Sequence, residues 1–582
     1  MKSAIAVVLM WLLASEVWGQ TVRPPSSGGH GSQVGGQELS VPGPAPLQVA
    51  QRLKRLEEDS STGQQFPTPA EEDRLRFAPL PDRWRMLPHS NLLDPYRQNL
   101  LKGDYPIIGQ NTFLVFTAIS DSLAQGQTLP VPSGVSTARA NSFPFFGDNQ
   151  QLVLRENLLA RFELYRGDTA FKPADWLLAI APVFNLNHVR LPERGLVNID
   201  VRQGTQRTRG DVALQEALFE YHLANLSDRY DFISIKLGIQ PFNSDFRSFI
   251  FNDTNLGVRL FGNLGNNRYQ YNLAFFDMLE KQTNSELNTF GRRDQRLVVA
   301  NFYWQDFLTL GYTTQFNVHY LYDKATLKFD ANDFLVRPDP VGTFTPHELN
   351  VVYLGWTSSG HIGRLNVTHA LYQALGTDSR NPLAGRRVDV NAQLAALELS
   401  IDYDWVRPVV SVMWASGDAD PTDDKARGFD SVFDKPFFAG GEFSFWNRQG
   451  VRLLGVGLVQ GNSLLPSLRS SKIQGQPNFV NPGLFLAHAG LELEMTPKLR
   501  TLLNASYLRF VSTQPLEHLL QQPEIGHNIG YDFSLGLIYR PLLNNNIILT
   551  GGVAAFVPGS GFRDALTSET LFQGFFNARF IY

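Results

Sequence analysis

The 582-residue chain contains no cysteine, which excludes disulfides, zinc–thiolate centres, covalent haem attachment and a thiol nucleophile together. Charge is scarce: Asp, Glu, Lys and Arg make up 18% of residues, below the roughly 25% of average soluble proteins. A net charge of −4 supplies no basic field for nucleic acid. Beyond residue 20 no apolar run reaches the ~20 residues that a spanning helix needs. Aromatic residues are nevertheless 12% of the chain. Few charges, many Phe and Tyr and no spanning helix together imply apolar and polar residues interleaved at short period.

The first residues, "MKSAIAVVLMWLLASEVWGQ", carry Lys2, then a short apolar stretch from Ala4 to Ala14, then Val17 and Gly19 at cleavage-site spacing. They predict a signal peptide over 1–19, removed before Gln20. Residues 20–110 are rich in Gly, Pro and Ser and lack the apolar content for a core. A largely irregular periplasmic segment is expected there. Leu47, Val49, Leu53 and Leu56 predict one short helix near 46–58.

From residue 111 the texture changes. In "RYQYNLAF" (268–275), Tyr269, Tyr271, Leu273 and Phe275 separate from Arg268, Gln270, Asn272 and Ala274. "FLTLGYTTQFNVHY" (307–320) and "FISIKLGIQ" (232–240) alternate in the same way. Period two means strands with one apolar face. The segments run roughly 10 to 14 residues, longer than the 5 to 6 typical of soluble strands and long enough to cross a bilayer tilted. Short links such as 226–231, 402–405 and 496–498 alternate with long polar stretches such as 191–210, 279–295 and 417–481. The expected fold is therefore all-β: a closed, antiparallel transmembrane barrel of about 18 strands over 111–582, in a bacterial outer membrane. "GVRLLGVGLVQG" (450–461) is strand-like but is assigned to a long loop. The final "FQGFFNARFIY" is predicted to be the closing strand. Its Phe576, Phe580 and Tyr582 match the terminal aromatic signal that the barrel-assembly machinery reads.

A barrel of this size leaves an aqueous interior. Parity places Arg155, Arg161, Lys236, Arg259, Arg268, Arg364, Arg540 and Arg579 inward, with Glu163, Glu216, Glu220, Asp389, Glu492, Glu494 and Asp532. Asn185, Asn187, Asn301, Asn317, Gln315 and Asn504 fill much of the rest. These charges either pair across strands and keep the interior wet, or form a path for anionic or hydroxyl-rich solutes. A bulge is expected near Ala395 and Ala396, because polar residues change parity there. His222, His369 and His488 lie within strands, His369 on the outer face, but no GxSxG elbow accompanies them, so no enzyme is expected.

The stretch "ASGDADPTDDKARGFDSVFDKPFF" (415–438) gathers Asp418, Asp420, Asp423 and Asp424, followed by Phe429 and Asp430. Such carboxylates either form a solvated loop or collect a hard cation such as calcium, although the EF-hand spacing is missing. With the following "FFAGGEFSFW", this stretch resembles the alginate-export family of bacterial outer-membrane channels. The resemblance implies an 18-stranded monomeric barrel in a Gram-negative outer membrane whose basic interior passes an acidic polysaccharide. This chain departs from that pattern in its mixed inward charges and its long Pro-rich N-terminal segment. The expected function is a porin-like channel for a hydrophilic saccharide or polysaccharide, anionic solutes among the candidates, with no cofactor. The alternative is a non-transporting surface barrel whose long loops bind a partner.

Overall fold

Period-two alternation becomes eighteen antiparallel strands in the structure, a computed structural model that describes residues 99–128, 147–167, 173–229, 231–450, 453 and 463–582. The expected signal peptide, the helix near 46–58 and most of 450–461 lie outside the described residues. The first nine strands are β1 (Thr112–Thr128), β2 (Gln150–Arg166), β3 (Trp176–Arg190), β4 (Gln206–Asn225), β5 (Phe232–Asn243), β6 (Asn252–Leu264), β7 (Tyr269–Lys281), β8 (Asn288–Trp304) and β9 (Tyr312–Asp323). The second nine are β10 (Leu349–Ile362), β11 (Leu365–Asp378), β12 (Val388–Ile401), β13 (Val406–Ala415), β14 (Leu484–Thr496), β15 (Leu499–Arg509), β16 (Asn528–Tyr539), β17 (Ile547–Pro558) and β18 (Leu571–Ile581).

Each strand pairs with its neighbours in sequence, and β1 pairs with β18 from Ile119↔Ile581 to Gln127↔Gln573. This closure leaves no free edge, which is the condition for a sheet to sit in hydrocarbon. The last residue is held as well. Tyr582 N–H donates to the Ala118 carbonyl at 2.9 Å, and its ring packs on Phe116.

The outer face is apolar and bare: Leu158, Phe184, Val212, Leu273, Phe316, Leu371, Val410, Phe533, Val553 and Phe576 are all exposed. Trp176, Tyr221, Tyr269, Trp304 and Tyr539 mark one rim of this band, near the short turns; Tyr320, Trp414, Tyr507 and Tyr531 mark the other. Two aromatic rims around an exposed apolar belt identify a barrel that spans a membrane.

Several boundaries differ from those expected: β1 ends at Thr128 rather than 123, and β10 and β11 run Leu349–Ile362 and Leu365–Asp378 rather than 346–357 and 360–373. β4 begins at Gln206 rather than 211 and β8 at Asn288 rather than 296. Hydrogen bonding continues there past the apolar belt into charged rows such as Asp277 and Arg292, where alternation of apolar residues gives no signal. β9 begins at Tyr312, not 307. Asp306 accepts from Gly311 N–H at 2.8 Å, closing a turn that leaves Leu308 and Leu310 exposed instead of on a strand.

The expected bulge at Ala395 and Ala396 is absent, since β11 and β12 pair without a break from Leu365↔Ile401 to Asp378↔Val388. Asp389, expected inward, faces out with Asn391 and Gln393; Gln393 and Gln373 bond each other and Asn391. A strand that rises beyond the belt becomes polar on its outer face, so no change of phase is needed. The phase change occurs instead in β4, between the pairs Pro182↔Leu214 and Ala181↔Glu216. Pro182 has no N–H for the ladder, and the extra residue opposite it is a bulge. Beyond it Glu216, Leu218 and Glu220 point inward.

The interior is not open throughout. At the long-loop end, the inner faces of β7 to β17 carry Phe276, Leu297, Val299, Val351, Met413, Leu486 and Phe556. They bury against Phe249 and Phe251 of loop 244–251 and against Phe429, Phe433, Trp446 and Phe479 of loop 416–483. The expectation of a polar lumen thus fails over this part of the wall. The wall is apolar because a loop fills it.

Candidate functional site in the barrel lumen

Loop 416–483 leaves β13, turns into the lumen and returns to β14. Trp446 N–H donates to the Asp532 carboxylate of β16 at 2.6 Å, and Trp446 Nε1 donates to the Leu464 carbonyl at 2.6 Å. Phe443 lies against the inward glycines Gly536 and Gly552, where any side chain would overlap its ring. The loop also meets the shorter one, since Phe433 bridges to Phe251 and Lys435 N–H donates to the Ser248 carbonyl. Ser244 of the shorter loop accepts from Asn301 and Gln315 at 3.0 and 2.7 Å. These bonds and contacts fix the two loops to the wall at β8, β9, β16 and β17.

Buried ion pairs hold the distal part of the long loop. Arg469 bonds Asp430 Oδ2 at 2.8 Å and the Val432 and Ser431 carbonyls. Arg337 of loop 324–348 bonds Glu280 at 3.0 Å and the Gln474 carbonyl at 2.9 Å, while Asp339 accepts from Ser470 N–H and Oγ–H. Burial pushes the Asp339 carboxyl up to about 6.

The remaining inner wall, from β1 to β6 and on through β18 and the lower ends of β13 to β15, carries charged and amide side chains interspersed with apolar ones such as Ile119, Leu123, Leu159 and Val183. Asp121 of β1 accepts from Arg579 Nε at 2.7 Å and from Asn577 at 2.9 Å. Arg161 of β2 bridges Glu163 and Glu216, the latter at 2.9 Å. Lys236 of β5 pairs with Glu220 of β4 at 2.8 Å. Arg500 bridges Glu492 and Glu494, and Arg407 reaches Glu492 at 3.5 Å. Arg259 donates to Asn272 at 2.6 Å and lies over the Phe261 and Phe242 rings. Amides continue the surface: Asn185 bonds Asn157, and Asn187 bonds Asn185, both at 2.6 Å.

The in-folded loop narrows this passage with Arg448. Its Nε donates to Gln125 of β1 at 2.7 Å, its guanidinium lies 3.5 Å from the centre of the Phe575 ring, and Glu442 sits 3.2 Å away. Burial lowers the Arg448 guanidinium to about 10, still charged at neutral pH. Arg155 of β2 acts electrostatically on both Arg448 and Asp121. It has no ion pair among the described residues, and its Nε has no hydrogen-bond partner. Arg155 and Arg448 thus set two cations within electrostatic reach of each other where the in-folded loop meets β1 and β2.

Three expected wall cations lie elsewhere. Arg268 and Arg364 occupy the turns 265–268 and 363–364, exposed, and Arg540 follows the end of β16 with its N–H bonded to the Lys498 carbonyl. Parity carried one step past a strand end mistakes rim residues for wall residues. The acidic loop does not gather its carboxylates. Asp418 is buried, Asp420 is occupied by Thr422, and Arg427 sits between Asp423 at 2.8 Å and Asp418 at 3.8 Å. Asp424 stays in the exposed turn, and Asp430 belongs to Arg469. Among the described residues no group of three His, Cys, Asp or Glu is spaced for a metal ion. His369 faces outward with Nδ1 near Tyr312 Oη, while Ser358 beside it donates to Thr314. His488 faces inward between Ser411 and Asn504, and His222 lies near Ser234 and Asn225.

No protein-family model matches the chain, and no curated protein matches it in sequence. Solved structures do resemble it. A BenF-like porin from Pseudomonas fluorescens Pf-5 is 10% identical with a TM-score of 0.43, over 81% of this chain and 98% of that one. OccK9 (OpdG) of Pseudomonas aeruginosa is 9% identical, with a TM-score of 0.42 over 80% and 98%. OpdK of the same species, solved with vanillate, is 8% identical, with a TM-score of 0.42 over 80% and 98%. Similarity at this level carries nothing about solute or mechanism.

Arg448, Gln125 and Phe443 carried no sequence signal. Gln125 lies past the expected end of the first strand at 123, in a polar stretch read as a loop, and Arg448 and Phe443 belong to a loop with no periodicity. The one available hint was the string of aromatics in 429–446, too apolar for a loop in water.

Proposed function

We propose that the chain is a passive outer-membrane channel for small, hydrophilic, hydroxyl-bearing solutes of saccharide size, with a weak preference for anions. The supporting observation is the charged and amide-lined wall from β1 to β6 and β18, enclosed by a closed barrel with an exposed apolar belt. The lipid is then the outer membrane, with short turns facing the periplasm and long loops facing out. Because Arg161, Lys236, Arg500 and Arg579 each face a carboxylate, the wall's field largely cancels. Paired charges and amides offer both donors and acceptors, which suits polyols more than a single ion type.

The finer assignment to alginate export rests on the stretch 415–446 alone. A strongly acidic polymer calls for a net basic wall, and this wall is nearly neutral. Planar-bilayer recording tests the proposal: steady ohmic steps, with liposome swelling by small sugars, are expected, and an electrically silent, sugar-impermeant barrel overturns it. The apolar packing of loop 416–483 favours one second reading, a barrel held closed whose outer loops bind a partner; the same silence would support it.

A further inference from the structure

We propose that the outer face around Glu156 is an interface between two copies of this chain, related by a two-fold axis beside β2 and β3. Glu156 is on the outside of the barrel. It pairs in register with Ser122 of β1 and Leu186 of β3, and its strand neighbours Leu154 and Leu158 are 39% and 49% exposed. A carboxylate among bare leucines of the apolar belt is costly in hydrocarbon, and ionisable groups at such depth are found paired with another polar group. Ser120 Oγ–H donates to Oε1 at 2.7 Å, and Ser122 Oγ–H donates to Oε2. A carboxylate accepts about four hydrogen bonds, so half its capacity faces outward.

The same patch carries the complementary donor. His188 of β3 faces outward one row above Leu186, paired with Leu154. Its Nδ1 lies 2.8 Å from Thr208 Oγ1. With Thr208 donating, the ring proton sits on Nε2, which has no partner among the described residues. An acceptor and a donor side by side on one face form a self-complementary surface. A two-fold axis between them sets each Glu156 against the partner's His188 and each His188 against the partner's Glu156, the isologous pattern of symmetric dimers. Leu154, Leu186 and Phe184 supply the apolar surround. Ala118, Ala124 and Ala160, outward on β1 and β2, allow close approach of the two sheets. The occupant is a second copy because the two polar groups answer each other. The inference rests on the barrel's placement in a membrane, though not on conduction.

The absence of cysteine makes the test direct. Full-length Leu186→Cys protein in lipid vesicles is expected to give a bismaleimide-linked dimer. Leu371→Cys, on the opposite wall, is expected to stay monomeric. Adding Glu156→Leu or His188→Leu should lower the linked fraction about tenfold, and Glu156→Gln, which keeps an acceptor, should retain most of it. No dimer from Leu186→Cys, equal linking at both sites, or an adduct with a different protein overturns the proposal. Should Leu186→Cys not fold, the native mass of unmodified protein in lipid nanodiscs decides, a single chain overturning the interface. Linking is read whether or not the barrel conducts, so loss of dimer and loss of channel activity are separate results.

Discussion

Arg469→Ala is the sharpest perturbation of the in-folded loop. Arg469 is fully enclosed and holds the Asp430 carboxylate together with two backbone carbonyls. Removing one partner of a buried pair leaves the other unpaired, which costs about 3–5 kcal/mol. Burial already pushes the Asp430 carboxyl up, and Arg469 is the main group pulling it down. Without the guanidinium, Asp430 must take a proton or leave its site. The barrel wall does not share this bond, so the cost falls on loop packing. A weakening of about 3–5 kcal/mol multiplies the loosened population by roughly 10² to several thousand. Single-channel recording should then show larger and noisier conductance, while heat-modified gel mobility, which reports the barrel, stays unchanged. Asp430→Asn with Arg469→Met, which removes both charges, should restore part of the quiet behaviour. Unaltered current in Arg469→Ala would refute the claim that this pair holds the loop in the lumen.

Arg155→Gln should shift reversal potentials in a salt gradient away from anions by a modest amount. Arg161→Gln should shift them further, because Glu163 and Glu216 then face the passage uncompensated; no difference between the two would sink the charge-pairing account. Burial pushes Asp418 up to about 6, so its contribution to loop packing is fully present below about pH 4 and is lost as pH rises through 6. Loop-opening events should become more frequent between about pH 4 and 7, and Asp418→Asn should flatten that dependence. Gly536→Leu should displace Phe443, raising conductance while the barrel still forms, as read by far-ultraviolet circular dichroism.

The sequence by itself determined the barrel. The eighteen segments read from alternation, among them 151–166, 267–278, 388–402 and 571–582, match the eighteen observed strands in order, with 360–373 set about five residues too early. Alternation is legible because lipid on one side and water on the other act on every second residue of every strand. Lys236, Arg161 and Glu216 could be placed inward for the same reason. The positions of Arg448, Phe443 and Arg469, the filling of half the lumen and the pairing that cancels the wall's charge were decided only by tertiary structure. A loop obeys no period. Its apolar residues are answered by inner-wall residues more than a hundred positions away, such as Phe556 with Phe445 and Trp446, and no local pattern records a contact between segments that meet only when the ring closes.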